Sequence, residues 1–366
     1  MSRKLIDGSR LIVEGAARAG AQVYSAYPIT PANRIYFHAV DRIPQVLKAP
    51  DEITALQWAC GISATGIIPM TATSRPGFSL MAESVDMAFM MELPVLIVIV
   101  QRLGPSTGSA TTGAQGDLSM LHGLISGGYN IPTISPSNLK DCYLLSGKAL
   151  RLSVELRTPV VLLTSKEMVE TERSMDLEQL PEIETAKWNL YQGDDYRPYG
   201  ELEGLVPKFL PLGDGRNQVR ITASTHDKLG LLKKASPESL ENTERLSRKI
   251  EENISRYNDY QLEENEDADT LIVTYGITSY AARDAAETLR SRGIPVSLLL
   301  VKTVLPVSAE VIEIINRYRR VIVAEENLTG QYRKVLFGER GDRKVSGVNT
   351  IGRMVTPQEI AREVEG

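Results

Sequence analysis

The chain has 366 residues, 24% of them charged, with a formal net charge of −5 and a pI near 5.5. That length can bury more than one core and suggests two domains, while the acidic balance argues against a nucleic-acid partner, which would meet a basic face. Cys60 and Cys142 are the two cysteines and no Cys-x-x-Cys pair occurs, so this chain cannot by itself ligate an iron–sulfur cluster or structural zinc.

A disulfide framework is equally unexpected, and a reducing cytoplasm fits that cysteine usage. Met1 to Gly8 lacks the apolar core of a signal peptide. The longest apolar run, Leu93 to Val100, is too short to cross a bilayer.

From residue 8 to about 168 the pattern alternates helix and strand. Ser9–Ala21 reads as a small-residue helix, Val23–Tyr27 as a strand, Asn33–Arg42 as a helix and Val46–Ala49 as a strand. Glu52–Thr65 is an apolar helix with an acid at its front, followed by the strand Ile68–Ala72. Pro76-Gly77 opens the helix Phe78–Glu92, and Pro94–Gln101 is a strand of consecutive branched residues. A Gly/Ser/Thr loop leads to the strand Ile131–Ser135, the helix Ser137–Arg157 with Ser137 as its N-cap, and the strand Pro159–Thr164. Runs such as Val95 to Val100 are apolar on both faces, as parallel strands covered by helices on each side must be. The fold class is α/β, doubly wound.

Composition changes after residue 168. Pro181, Pro198, Pro207 and Pro211, a polar helix over Pro237–Tyr257 and the acidic run Glu263-Glu264-Asn265-Glu266-Asp267 read as a connector with one solvated helix. A second, smaller α/β unit begins at Asp269, with strands at Thr270–Tyr275, Val296–Leu300 and Val321–Ala324 and helices at Thr278–Arg292 and Ser308–Tyr318. Thr356-Pro357-Gln358-Glu359 has the form of a capping box.

Three segments follow predicted strands and carry polar chemistry. They are Tyr27-Pro28-Ile29-Thr30-Pro31, Asp51-Glu52 and Arg102-Leu103-Gly104-Pro105-Ser106-Thr107-Gly108. Each has an ordinary explanation. A first-turn carboxylate offsets the helix dipole, Thr30 can cap the next helix, and Arg102 can be a surface arginine. Their joint placement beyond strands of one parallel sheet shifts the balance toward a site, because ligands occupy the crevice at the carboxyl ends of such strands.

Together with Thr71-Ala72-Thr73-Ser74-Arg75-Pro76-Gly77-Phe78-Ser79-Leu80-Met81 and Gln115-Gly116-Asp117-Leu118, these segments resemble the α subunit of 2-oxoacid:ferredoxin oxidoreductases. The 2-oxoglutarate branch is the most similar. The resemblance covers nearly the whole chain, including Thr225-His226-Asp227 and the C-terminal unit. It implies a thiamine diphosphate pyrimidine-binding domain over residues 1–185, a connector over 186–268 and a transketolase C-terminal-like domain over 269–366. Glu52 matches the family's cofactor-activating glutamate, with Tyr27, Pro28 and Ile29 beside the same ring. Such a carboxyl hydrogen-bonds the pyrimidine N1′ and favours the imino tautomer, whose nitrogen removes the thiazolium C2 proton. Arg102 matches the arginine that holds the substrate carboxylate, for which a planar fork suits a bidentate pair. Thr30 matches a threonine near the reacting carbon, and Thr111 is implied in the same pocket.

The resemblance further implies that the diphosphate and its magnesium sit on a β subunit. Iron–sulfur clusters lie on partner chains, a separate γ subunit and a ferredoxin-like subunit complete the complex, coenzyme A takes the acyl group, and ferredoxin takes the electrons. The chain departs from the family at two places. Arg75 stands where many relatives have glycine in Ser-Gly-Pro-Gly-Phe, and Thr112 where many have a lysine. If that lysine reads a distal carboxylate, its loss puts 2-oxoglutarate specificity in question, and Arg75 can compensate.

Other signals carry less. Gly213-Asp214-Gly215 with Asn242 imitates the magnesium motif of thiamine diphosphate enzymes, but a charged helix replaces the apolar one that motif needs. His38, His122 and His226 show no metal spacing. Met81, Met87, Met90 and Met91 read as core or interface packing.

Overall fold

A computed structural model describes residues 3–366. The first unit runs β1 (Lys4–Asp7), α1 (Gly8–Arg18), β2 (Val23–Ala26), α2 (Asn33–Arg42), β3 (Gln45–Lys48), α3 (Glu52–Ala64), β4 (Pro69–Thr73), α4 (Arg75–Met90) and β5 (Val95–Gln101). It continues through α5 (Leu118–His122), β6 (Thr133–Ile134), α6 (Leu139–Leu156), β7 (Pro159–Ser165), α7 (Lys166–Glu170) and β8 (Glu172–Met175). Between the units lie β9 (Leu202–Glu203), β10 (Val206–Pro207) and α8 (Pro237–Glu252). The second unit comprises β11 (Tyr260–Glu263), β12 (Thr270–Tyr275), α9 (Ser279–Ser291), β13 (Ser297–Val301), β14 (Thr303–Leu305), α10 (Ala309–Asn316), β15 (Arg320–Glu325), α11 (Gln331–Phe337), β16 (Val345–Asn349) and α12 (Pro357–Glu365).

The large sheet has the order β14-β6-β7-β5-β4-β2-β3, parallel throughout except for β14 at one edge. Every residue of β5 and β7 is buried, as their unbroken apolar runs require when helices cover both faces. Helices α1 and α6 cross closely because Gly15 has no side chain: a Cβ there would stand 2.1 Å from the Tyr143 carbonyl. The second sheet has the order β11-β13-β12-β15-β16, with β11 antiparallel and the rest parallel.

Several boundaries differ from the sequence reading. The cap of α6 is Asn138, whose side chain accepts from the Asp141 amide at 3.0 Å, while the Ser137 hydroxyl donates to the Asp141 carboxylate at 2.5 Å. Helix α4 starts at Arg75, because Ser74 is extended and Pro76 tolerates the first turn, where its missing N–H has no intrahelical partner to lose. Strand β11 lies in the stretch read as connector, and β14, embedded in the second unit's sequence, pairs with β6 of the first sheet. The capping box at Thr356 and Glu359 forms as expected.

Helix α8 is not simply solvated. Its inner face carries Asn242, Arg245 and Lys249, all buried, toward Glu92 at the end of α4. Arg245 pairs with both Glu92 oxygens, and Lys249 Nζ reaches Glu92 Oε2 at 2.7 Å and the Arg157 carbonyl at 2.9 Å. Burial drives the Glu92 pKa up, but the charges of Arg245 and Lys249 outweigh it and hold the group at about 2. Burial lowers Lys249 to about 8 despite Glu92. A polar helix is therefore docked through ions, each with a hydrogen-bonded partner, as buried charges must be.

Cys60 and Cys142 are free and buried, and Met81 is buried with Met87, Met90 and Met91 packed on the core. Among the described residues no helix is long and apolar enough to cross a membrane.

Candidate active site

Strands β3, β2, β4 and β5 are neighbours and parallel, so their carboxyl ends open on one edge, with adjacent strands about 4.8 Å apart. The segments after them are 49–52, 27–31, 74–77 and 102–117. The polar residues singled out after strands thus converge on one crevice, the position where open α/β sheets bind ligands.

Glu52 is the first residue of α3. Asp51 caps that helix by accepting from the Thr54 amide at 2.7 Å, so Asp51 already serves the helix terminus and Glu52 is not needed there. Glu52 is 6% exposed and no hydrogen bond or ion pair joins its carboxyl to any described residue. The first turn of α4 lies against it: a Cβ on Gly77 would stand 2.3 Å from Thr73 Oγ1 and 2.5 Å from Glu52 Oε1. Glycine at 77 is therefore what admits the acid. The hydroxyls of Thr71, within β4, and Ser74, just after it, are also buried and without partners. Buried polar groups are ordinarily satisfied, so this cluster fits an added ligand with its own donors and acceptors.

Arg102 follows β5, is buried, and donates from Nη1 to the Thr30 carbonyl at 2.5 Å, while its Nε is buried without a partner. Thr30 Oγ1 accepts from Asn33 Nδ2 at 3.1 Å, which leaves the threonine's own proton available to donate. Asp117 is 3% exposed and was not singled out in the sequence as a site residue. Its Oδ1 lies 3.7 Å from Arg75 Nε and its Oδ2 is buried without a hydrogen bond. Burial raises the Asp117 pKa to about 7, although the Arg75 and Arg102 charges pull it down.

The sign of that shift gives a test. The folded chain holds a proton at Asp117 that the unfolded chain has released, so this group's contribution to stability falls as pH rises from about 4 to about 7. Asp117→Asn is expected to be more resistant to urea than wild type at pH 8, with the advantage shrinking toward pH 4. A constant difference across that range would show that Asp117 does not titrate in this way.

The loop bearing Asp117 is fixed from the second unit. Gln115 is fully buried; its Nε2 donates to the Tyr275 carbonyl at 2.9 Å, and its Oε1 accepts from Thr278 Oγ1 at 2.9 Å and the Glu326 amide at 2.8 Å. Gln331 Nε2 donates to the Gly116 carbonyl at 2.9 Å and its Oε1 accepts from the Ser119 amide at 2.9 Å. The C-terminal unit thus positions one wall of the crevice.

Of the other residues named from sequence, Tyr27 is 39% exposed and Pro28 and Ile29 are half-buried after β2. Thr111 is exposed, and no contact of its side chain joins it to Arg102. Asn242 bonds His226 Nε2 at 3.0 Å and Arg245, and Asp214 sits in a surface turn with Asn217, so the two are engaged in separate structural contacts. His38 pairs with Asp7 at 3.2 Å. Among the described residues no group of three or more His, Cys, Asp or Glu side chains could hold a metal ion.

An acid shielded at a helix start, an arginine across the crevice and a second α/β unit closing one wall define a two-unit α/β cofactor-binding protein. Residues 14–245 match the family described as pyruvate flavodoxin/ferredoxin oxidoreductase, thiamine diP-bdg, and residues 259–330 match the transketolase C-terminal domain. The 2-oxoglutarate synthase subunit KorA of Methanocaldococcus jannaschii is 31% identical over 377 residues, covering 100% of both chains. The ketoisovalerate oxidoreductase subunit VorB of Methanothermobacter thermautotrophicus is 30% identical, covering 96% of this chain and 94% of that one. The solved 2-oxoglutarate:ferredoxin oxidoreductase from Magnetococcus marinus, with 2-oxoglutarate, coenzyme A and succinyl-CoA bound, superposes with a TM-score of 0.90 at 28% identity. The match covers 99% of this chain and 65% of that one. A split-gene transketolase at 15% identity and TM-score 0.57 shares the fold. The chain belongs to the pyruvate flavodoxin/ferredoxin oxidoreductase family and carries its thiamine diphosphate-binding domain.

Proposed function

We propose that this chain is the α subunit of a cytoplasmic 2-oxoglutarate:ferredoxin oxidoreductase. The complex forms succinyl-CoA, carbon dioxide and reduced ferredoxin from 2-oxoglutarate and coenzyme A, or runs in reverse. The observation that carries this reading is the buried Glu52 carboxyl, left without a protein partner in the same crevice as Arg102. Family membership supplies the cofactor class, and the names of the KorA relatives support the substrate. The free, buried cysteines accord with a reducing compartment.

Within the site, Glu52 would hold the pyrimidine N1′ by a hydrogen bond, with Tyr27, Pro28 and Ile29 beside the ring. The bound thiamine diphosphate would supply the nucleophilic carbon and the electron sink for decarboxylation. Arg102 has an unpartnered Nε with which to take the substrate's 1-carboxylate, a charge-assisted bond of the stronger kind. Thr30 donates its free proton near the keto group. Thr111 is exposed and would contribute to the same pocket only through an inward movement of its loop. A β subunit holding the diphosphate and magnesium, a γ subunit and a ferredoxin-like chain with the iron–sulfur clusters complete the enzyme, as the relatives' designation as subunits supports.

The test is a substrate panel on the co-purified complex, with reduction of a viologen dye as readout. The highest kcat/KM is expected for 2-oxoglutarate. Preference for a branched-chain oxoacid would instead favour the specificity named in the VorB relatives. Absence of turnover with every 2-oxoacid would refute the reading.

A further inference from the structure

Two arginines stand near one buried carboxyl group, Asp117, in the crevice. Arg102 comes from the end of β5 and Arg75 from the first residue of α4, and the charges of both act on Asp117. Arg75 is held by one end only. Its Nε lies 3.7 Å from Asp117 Oδ1 and donates to Met120 Sδ at 3.5 Å. Nη1 and Nη2 have no partner among the described residues, and the side chain is 34% exposed. A guanidinium anchored through Nε with its paired Nη edge open has the geometry of a carboxylate receptor, because that edge presents parallel donors.

The location matches. Arg75 is two residues before Gly77, whose backbone abuts the Glu52 carboxyl of α3, so the acid lies against the turn of α4 that carries the guanidinium. The crevice then holds the Arg75 and Arg102 guanidinium groups, the buried Asp117 carboxyl and the Glu52 carboxyl, which has no partner among the described residues. A monocarboxylate would engage Arg102 and leave the open edge of Arg75 with water. A dicarboxylate would engage both.

We propose that Arg75 is a specificity-determining residue that receives the distal carboxylate of a dicarboxylic 2-oxoacid, with Asp117 as the positioning residue that fixes its Nε end. This rests on the 2-oxoacid reading above.

The experiment compares wild type, Arg75→Gln and Arg75→Lys in the co-purified complex, with 2-oxoglutarate and 2-oxobutyrate as substrates and dye reduction as readout. Arg75→Gln is expected to raise KM for 2-oxoglutarate by about 30- to 100-fold, the cost of one charge-assisted pair. Its kcat/KM for 2-oxobutyrate should stay within about threefold of wild type, since no contact is lost there. Arg75→Lys should recover part of the loss, which a purely structural role would not predict. An equal effect on both acids, or an unchanged KM for 2-oxoglutarate, overturns this assignment while the functional reading stands. A wild-type complex inert toward both acids overturns both.

Discussion

Replacing Glu52 by glutamine is expected to lower turnover of the assembled complex by about two to four orders of magnitude, the range of general acid–base assistance. Subunit association should be unchanged. The substitution keeps the shape that Gly77 and Thr73 accommodate and removes only the carboxyl's capacity to share a proton with a ring nitrogen. Asp51, not Glu52, caps α3, so the helix has no reason to fray. A helix-dipole role alone would be worth about 0.3–1 kcal/mol and would show as a small loss of stability with near-normal turnover. Steady-state rates with size-exclusion profiles of the same preparation separate the two. A variant retaining more than half of wild-type turnover would remove Glu52 from the chemistry.

The largest expected loss of stability comes from Glu92→Gln. Glu92 is fully buried at a left-handed φ of 54° and is the carboxylate on which Arg245 and Lys249 converge, with Arg157 nearby. Removing one member of a buried ion cluster leaves its partners uncompensated and typically costs about 3–5 kcal/mol. The deficit should depend on pH. Lys249 is held at about 8 with Glu92 present and falls lower without it, so the variant must keep a neutral lysine that the unfolded chain protonates. By linkage the variant weakens relative to wild type as pH drops from about 8 to about 6. Urea unfolding at both pH values tests this. Equal midpoints for variant and wild type would mean that α8 docks without the charge cluster.

The parts of the fold legible in the sequence were those with strong local signals. Val95 to Val100 and Pro159 to Thr164 read as strands because buried parallel strands leave no polar face. Thr356 and Glu359 read as a capping box because both partners lie within four residues. Strand β14 was hidden: three residues carry no periodicity, and its place beside β6 depends on pairing with residues about 170 positions earlier in the chain. Helix α8 looked solvated because its buried face is ionic, and only the position of Glu92, 153 residues before Arg245, makes that face an interior one.

The site divides in the same way. Glu52, Thr30 and Arg102 could be singled out because each follows a strand of one sheet. Asp117 could not, since its meaning comes from burial beside Arg75 and from the clamp on Gln115 by Tyr275, Thr278 and Glu326. Thr111 was named through resemblance, and the exposed position it takes here is set by a Gly/Ser/Thr loop with little to bury.

The most direct measurement is a structure of the assembled complex with thiamine diphosphate bound. The account predicts a Glu52 carboxyl oxygen at hydrogen-bond distance, about 2.6–3.2 Å, from the pyrimidine N1′, with the diphosphate and magnesium on the neighbouring subunit. A ring nitrogen met by any other side chain, with Glu52 turned away, would contradict it.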